Sequence, residues 1–162
     1  FVNASGGVPK TSLMQASNGN VYGIASTGGS NNGGAIFQYD PISNVYTMKF
    51  DFASSVVGNT PEEIFTQGYD GKFYGTTFYG GSSNLGVLYQ YDPNTNIYAK
   101  KIDFTSLTGR SRCVIKQAPD GKLYYYTGTG TPGLGVIAQY DPVTNISVNK
   151  IISAKFKDYS LH

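Results

Sequence analysis

The stretch "IFQYDPISNVYTMKFDF", Ile36 to Phe52, returns as "LYQYDPNTNIYAKKIDF", Leu88 to Phe104, and again as "IAQYDPVTNISVNKIIS", Ile137 to Ser153. The copies set a period. Gln38, Gln90 and Gln139 recur at spacings of 52 and 49, and Gly19, Gly71 and Gly121 at 52 and 50. Gln15, Gln67 and Gln117 keep the same rhythm, Pro9 matches Pro61, and Gly6 matches Gly58. A unit of about 50 residues that occurs three times points to a repeat architecture. The units run over 6–57, 58–108 and 109–157. Residues 1–5 read as the tail of a preceding unit, since "FVNAS" echoes "FASS" (Phe52 to Ser55), and 158–162 as a C-terminal tail.

Each unit reads as four short strands. The first is "SLMQAS", "IFTQGY" or "VIKQAP". "NGN" or "DGK" follows, and Asn-Gly or Asp-Gly supplies the positive φ of a two-residue hairpin. The second strand is "VYGIAS", "FYGTTF" or "LYYYTG", and a glycine-rich loop comes next ("TGGSNNGG", "YGGSSNLG", "TGTPGLG"). The third strand, "AIFQY", "VLYQY" or "VIAQY", runs into an Asp-Pro turn at Asp40, Asp92 and Asp141. Pro presets φ there, Asp can accept a backbone N–H, and Asn44, Asn96 and Asn145 can take a left-handed exit. The fourth strand, "VYTMKF", "IYAKKIDF" or "ISVNKIIS", alternates as a strand with one buried face. Four antiparallel strands per unit with no helix predict an all-β fold, a β-propeller segment of three blades. A β-sandwich is the alternative, but it needs no blade-length repeat.

Composition agrees. The chain has 162 residues, 40% hydrophobic and only 14% charged, with 21 Gly, 14 Tyr and no Trp. The length suffices for one ordinary domain with a real core. A net charge of +2, spread along the chain, argues against nucleic acid as a partner. No segment reaches the length of an apolar membrane span, so no membrane insertion is expected. Cys113 is the only cysteine, which excludes an internal disulfide. The chain begins at Phe1, as a processed chain or an excerpt would.

The glycine pair after the second strand and "YDPxTNxY" resemble kelch repeats, although Tyr46, Tyr98 and Ser147 stand where kelch units carry Trp. The closer resemblance is to the bacterial tandem-repeat family called GloVer, after Gloeobacter and Verrucomicrobia. It rests on "DGKFYGTTFYGGSSNLGVLYQYDP" (Asp70 to Pro93) followed by an aromatic-ended strand such as "KIDF". It covers nearly the whole chain. The third unit departs at Tyr125, where the others have Gly23 and Gly75, and at Thr129-Gly130, where a residue is missing. The resemblance implies a secreted or surface-displayed bacterial β-propeller, extracellular, and carries no ligand or reaction with it. Propellers close with four to eight blades. Three blades leave two apolar faces uncovered. Either further blades of the same polypeptide or a second copy of the chain is expected to cover them.

Residues that the repeat does not explain are the place to look for chemistry. Asp40, Asp92, Asp141, Asp51, Asp103, Asp70 and Asp120 recur, so only Glu62, Glu63 and Asp158 are unique among the acids. Glu62 and Glu63 are adjacent and would point to opposite faces of a strand; a solvated loop is expected for them. His162 is the only histidine and sits at the C-terminus, which argues against zinc constellations and a Ser-His-Asp triad. Cys113 lacks a histidine partner and reads as a small, partly buried residue. "DPNTN" (Asp92 to Asn96) lacks the glycine and glutamate of a calcium loop. The glycine pairs lack the helix and lysine of a phosphate loop. The sequons "NAS" (Asn3 to Ser5) and "NIS" (Asn145 to Ser147) matter only in a eukaryotic secretory host. No catalytic residue, metal or cofactor is expected, and the chain reads as a non-enzyme.

Blade topology puts the loops between strands two and three on one face with the inter-blade segments, and the hairpin turns opposite. That loop face carries Ser30, Asn31, Asn32, Tyr79, Ser82, Ser83, Asn84 and Thr131, with Asn59, Glu62, Arg110 and Arg112 from the inter-blade segments. Tyr, Ser, Gly and Asn make adaptable contacts at low entropic cost. The ligand-binding candidates are Asn31, Asn32, Tyr79, Ser82, Asn84, Arg110 and Arg112. The expected function is a binding or adhesion module whose ligand is a glycan or a protein; the alternatives are a structural repeat scaffold and a propeller glycosidase or lyase.

Overall fold

A computed structural model describes residues 7, 13–111, 115–129 and 135–152. Cys113, Arg112, Thr131, Asp158, His162, the first sequon and both proposed tails lie outside them. Three antiparallel sheets follow one another along the chain. The first orders β1 (Met14–Gln15), β2 (Val21–Ala25), β3 (Ala35–Asp40) and β4 (Val45–Asp51). The second orders β5 (Asn59–Gln67), β6 (Phe73–Tyr79), β7 (Val87–Asp92) and β8 (Ile97–Asp103). The third opens on two pieces, β9 (Arg110–Ser111) and β10 (Lys116–Gln117), both paired to β11 (Leu123–Thr129), and continues through β12 (Val136–Asp141) to β13 (Ile146–Ile152). Apart from β9, sequential strands within each sheet are neighbours, as in propeller blades. One 3₁₀ turn, Ser55–Val57, is the only helical element among the described residues.

The Asp-Pro turns form as expected. Asp40, Asp92 and Asp141 each accept the N–H two residues on, at 2.8, 2.9 and 2.9 Å. Asn44, Asn96 and Asn145 have φ of 58, 57 and 59°. Each also accepts a tyrosine hydroxyl from its own blade, Tyr39, Tyr91 or Tyr140, at 2.7–2.8 Å. The strand-one hairpins differ from the two-residue form. Gly19, Gly71 and Gly121 alone take positive φ (85, 77 and 77°), and Asn18, Asp70 and Asp120 do not. Gly19 N–H reaches Ala16 O and Ala16 N–H reaches Asn20 O, both at 2.9 Å, and the other two turns repeat this pair. This is a three-residue loop, a type I turn followed by a left-handed glycine in a bulge. It leaves the acid or amide free to fold back: Asp70 and Asp120 each accept the hydroxyl of Tyr74 or Tyr124, at 2.8 and 2.9 Å.

Strand one also differs. In the second blade it starts at Asn59, with a register shift between Glu62 and Thr66. Asn59, Glu62 and Arg110 are therefore strand residues rather than loop residues, opposite Tyr79, Thr76 and Thr129. Cross-strand hydrogen bonding absorbs what sequence assigns to a linker. Strand four does not alternate cleanly either: β4 is exposed from Val45 to Met48. It is the outermost strand, and its inner-face residues lie on the uncovered side of the first blade. Each β3–β4-type ladder carries a register shift at the same place, after Ile36, Leu88 and Ile137. The skipped residue is a lysine every time, Lys49, Lys101 and Lys150. A bulge plus a lysine blunts an exposed sheet edge against pairing with another chain.

The blades pack through two aromatic layers. Tyr22, Ile24 and Ile36 meet Phe65, Phe73, Tyr89 and Tyr91 in the first, with Phe50 stacked on Tyr98 at 4.1 Å. Tyr74, Leu88 and Phe104 meet Ile115, Leu123, Tyr125, Ala138 and Tyr140 in the second. Glutamines at the end of strand one tie each blade to the turn of the one before. Gln67 Oε1 accepts the N–H of Ser17 at 3.1 Å, and its amide donates to Ser17 Oγ at 3.0 Å and Gly71 O at 2.9 Å. Gln117 accepts the N–H of Tyr69 at 2.7 Å and donates to Gly121 O at 2.6 Å.

The third unit's departures form one coupled exchange. In blades one and two a glycine of strand two faces an aromatic of strand three, Gly23 with Phe37 and Gly75 with Tyr89. A Cβ on Gly75 would fall 2.5 Å from Tyr89 Cζ, so the ring occupies the glycine's space. In blade three the ring comes from strand two, as Tyr125, and faces Ala138. Its hydroxyl reaches Ser147 Oγ at 2.8 Å, in the place that Tyr46 and Tyr98 fill elsewhere. Small–large–large has become large–small–small: the slot between strands two and three keeps one ring, supplied from the other strand, while strand four gives up its tyrosine for a serine.

Candidate functional site

The glycine-rich loops and the inter-blade segments do share one end of the blades. Thr60 N–H donates to Gly33 O at 2.7 Å, and Gly81 N–H to Ser55 O at 2.8 Å. The loops are built alike. Gly28, Gly29, Gly80 and Gly81 have positive φ, with Asn32 and Asn84 at 55 and 53°. Asn32 and Asn84 turn their side-chain oxygens back onto the N–H of Gly28 and Gly80, at 2.8 and 2.9 Å. Gly34 and Gly86 close the loop on Gly28 O and Gly80 O at 2.9 and 3.0 Å. These N–H groups are spent within the loop, which removes the donors that a phosphate cradle would need.

The recurring acids at the end of strand four hold the loop tips. Asp51 accepts Ser30 N–H at 2.8 Å and its hydroxyl at 2.5 Å, and Asp103 accepts Ser82 N–H at 3.1 Å. Lys100 pairs with Asp103 at 2.9 Å. Asn31 donates to the carbonyl of Ala53. Among the candidates, then, Asn32 shapes its own loop, Asn31 and the backbone N–H of Ser82 tie theirs to Ala53 and Asp103, and Ser83 is exposed at a loop tip. Arg112 and Thr131 lie outside the described residues.

Three candidates converge. Arg110, from β9, lays its guanidinium over Phe78 and Tyr79 at 4.3 and 4.8 Å from the ring centroids. Its Nη2 donates to the carbonyl of Asn84 at 3.2 Å. Phe78 and Tyr79 meet edge to face at 4.5 Å. Phe78 is buried, while Tyr79 remains 40% exposed. Arg110 Nε is shielded from solvent without a partner, and among the described residues no carboxylate pairs with the guanidinium. The cluster is thus a positively charged, aromatic ledge held by stacking. Such an arrangement presents a ring face and residual N–H donors to a ligand. Sequence reasoning passed over Phe78, which sits inside strand two. The signal was in the alignment: its repeat positions hold Ser26 and Gly128, and those of Tyr79 hold Thr27 and Thr129. Among the described residues no three His, Cys, Asp or Glu side chains gather as metal ligands would.

A family model described as "Gloeobacter/Verrucomicrobia repeat" matches residues 1–158. No curated protein matches the chain. Solved structures do. A nidogen/laminin complex is similar at 13% identity and a TM-score of 0.59, over 88% of this chain and 48% of that one. A protein described as the extracellular domain of a hybrid two component system from B. thetaiotaomicron is similar at 16% identity and a TM-score of 0.56, over 88% of this chain and 16% of that one. TolB from Acinetobacter baumannii is similar at 19% identity and a TM-score of 0.56, over 87% and 32%. The chain spans less than half of each, and the likeness is one of fold.

Proposed function

The chain belongs to the Gloeobacter/Verrucomicrobia repeat family, and from that premise we propose that it is a non-enzymatic binding module of an exported bacterial protein, with its ligand on the loop face. At the coarser level, family and blades support a repeat-built interaction or structural module. The observation that carries the finer reading is the Phe78–Tyr79–Arg110 ledge, which the repeat does not require and which only one of the two blade junctions has. The ligand is a glycan or a protein, held by stacking on Tyr79 and hydrogen bonding from Arg110. A glycan array and a surface-protein panel, probed with the chain and with Tyr79→Ala and Arg110→Ala, test this. Binding is expected to be lost in both variants and kept in Ser30→Ala. Binding that survives all three changes refutes the site.

A second reading, a scaffold that displays other domains, draws support from Asn31, Asn32, Ser82 and Asn84, whose polar atoms are engaged in holding the loops in place. No ligand for the chain, with binding found in a neighbouring domain, would favour it.

A further inference from the structure

The uncovered faces of the first and third blades are unequal in a way that selects the neighbour. Leu13, Tyr39, Tyr46 and Met48 of the first blade are 60, 37, 36 and 38% exposed. They occupy the repeat positions of Phe65, Tyr91, Tyr98 and Lys100, and the first three of these pack on the first blade. The face therefore has the composition of an established blade interface. At its end stands Gln15, exposed, the repeat equivalent of Gln67 and Gln117. Those two each accept an N–H from the second residue of the preceding blade's turn, Ser17 or Tyr69. That N–H is free in a type I turn because the hairpin does not use it. In the third blade the same position is Pro119, exposed in a turn closed by the same two hydrogen bonds. Proline suits this turn position and has no N–H to give.

We infer that the open face of β1–β4 receives a further blade of this repeat whose turn carries a non-proline residue at the Ser17 position, and that the chain's own third blade is not that partner. A head-to-tail ring of two copies would set Gln15 against Pro119 at both junctions and leave its carbonyl without the donor the other junctions have.

The test gives the third blade the missing donor. Pro119→Ser and wild type are compared by sedimentation velocity over a concentration series, with circular dichroism to confirm that both fold. Pro119→Ser is expected to self-associate about five- to tenfold more tightly at each junction, the worth of one hydrogen bond. Adding Gln15→Ala is expected to remove that gain. Equal association of wild type and Pro119→Ser, or a gain that persists without Gln15, overturns the inference. So does a wild-type dimer weakened by Gln15→Ala.

Discussion

Exchanging the aromatic slot of blade three for that of its neighbours tests whether Tyr125, Ala138 and Ser147 act as a set. Tyr125 is 3% exposed and packs 5.8 Å from the ring of Phe104; Ala138 is 1% exposed. Tyr125→Gly alone empties the slot, at about 3–5 kcal/mol for the lost ring and about 0.5–1 kcal/mol for a strand glycine. Ala138→Tyr alone forces a second ring into a filled slot, at about 1–3 kcal/mol or more. Independent effects would sum to roughly 5–9 kcal/mol, a large part of the stability of an ordinary domain. The triple variant Tyr125→Gly/Ala138→Tyr/Ser147→Tyr rebuilds the arrangement of blades one and two. It is expected within about 2 kcal/mol of wild type, since the ring at 138 refills the emptied slot and the added ring at 147 lies on the outermost strand of its sheet. Urea denaturation followed by circular dichroism reads this directly, and each kcal/mol should move the thermal midpoint by about 2–4 °C at this length. A triple variant no more stable than Tyr125→Gly would refute the compensation.

Gln67→Ala removes the tie between the first two blades and should cost about 1–2 kcal/mol; amide exchange of Ser17, measured by NMR, should speed up while that of Tyr69 is kept. Asn96→Gly should be milder than Asn96→Ala, because glycine accepts the left-handed φ and alanine does not; the difference in urea midpoint should correspond to about 1 kcal/mol. Replacing Lys49, Lys101 and Lys150 by Val should leave the fold intact and raise aggregation, read by light scattering, because the edge strands lose their lysines. Burial, then the charges of Asp141 and Asp70, push Tyr140 up to about 12 from 10.0. A raised pKa means the folded state favours the neutral phenol. Its contribution is fully present below pH 10 and is lost as pH rises through about 12. Burial shifts Tyr74, Tyr89, Tyr91 and Tyr98 the same way. Urea midpoints should fall across that window together with the rise of phenolate absorbance; a flat profile would contradict the burial.

Local chemistry was legible without coordinates. Asp-Pro turns and left-handed asparagines are decided by residues within a few positions of each other, where proline's φ and the side chains of Asp and Asn dominate, and the three-fold period shows in the recurrence of those turns. The hairpin type was missed because Asp-Gly serves both a two-residue turn and a type I turn with a glycine bulge, and only the backbone pairing separates them. The start of strand one was missed because Asn59 and Arg110 look like linker until cross-strand partners are known.

What lay beyond the sequence are contacts between residues a full repeat or a full hairpin apart. The tie of Gln67 to Ser17 and the stacking of Arg110 on Phe78 and Tyr79 join neighbouring blades. The exchange of Tyr125 for Tyr89 depends on which strand's ring enters a shared slot. The four-stranded unit and the places of its turns can be read along the chain, since they follow from local backbone preferences. Which departures from the repeat refill a buried slot, as Tyr125 does, and which form an exposed, charged aromatic ledge emerges only from the folded blades, because burial and partnership exist only once they are stacked.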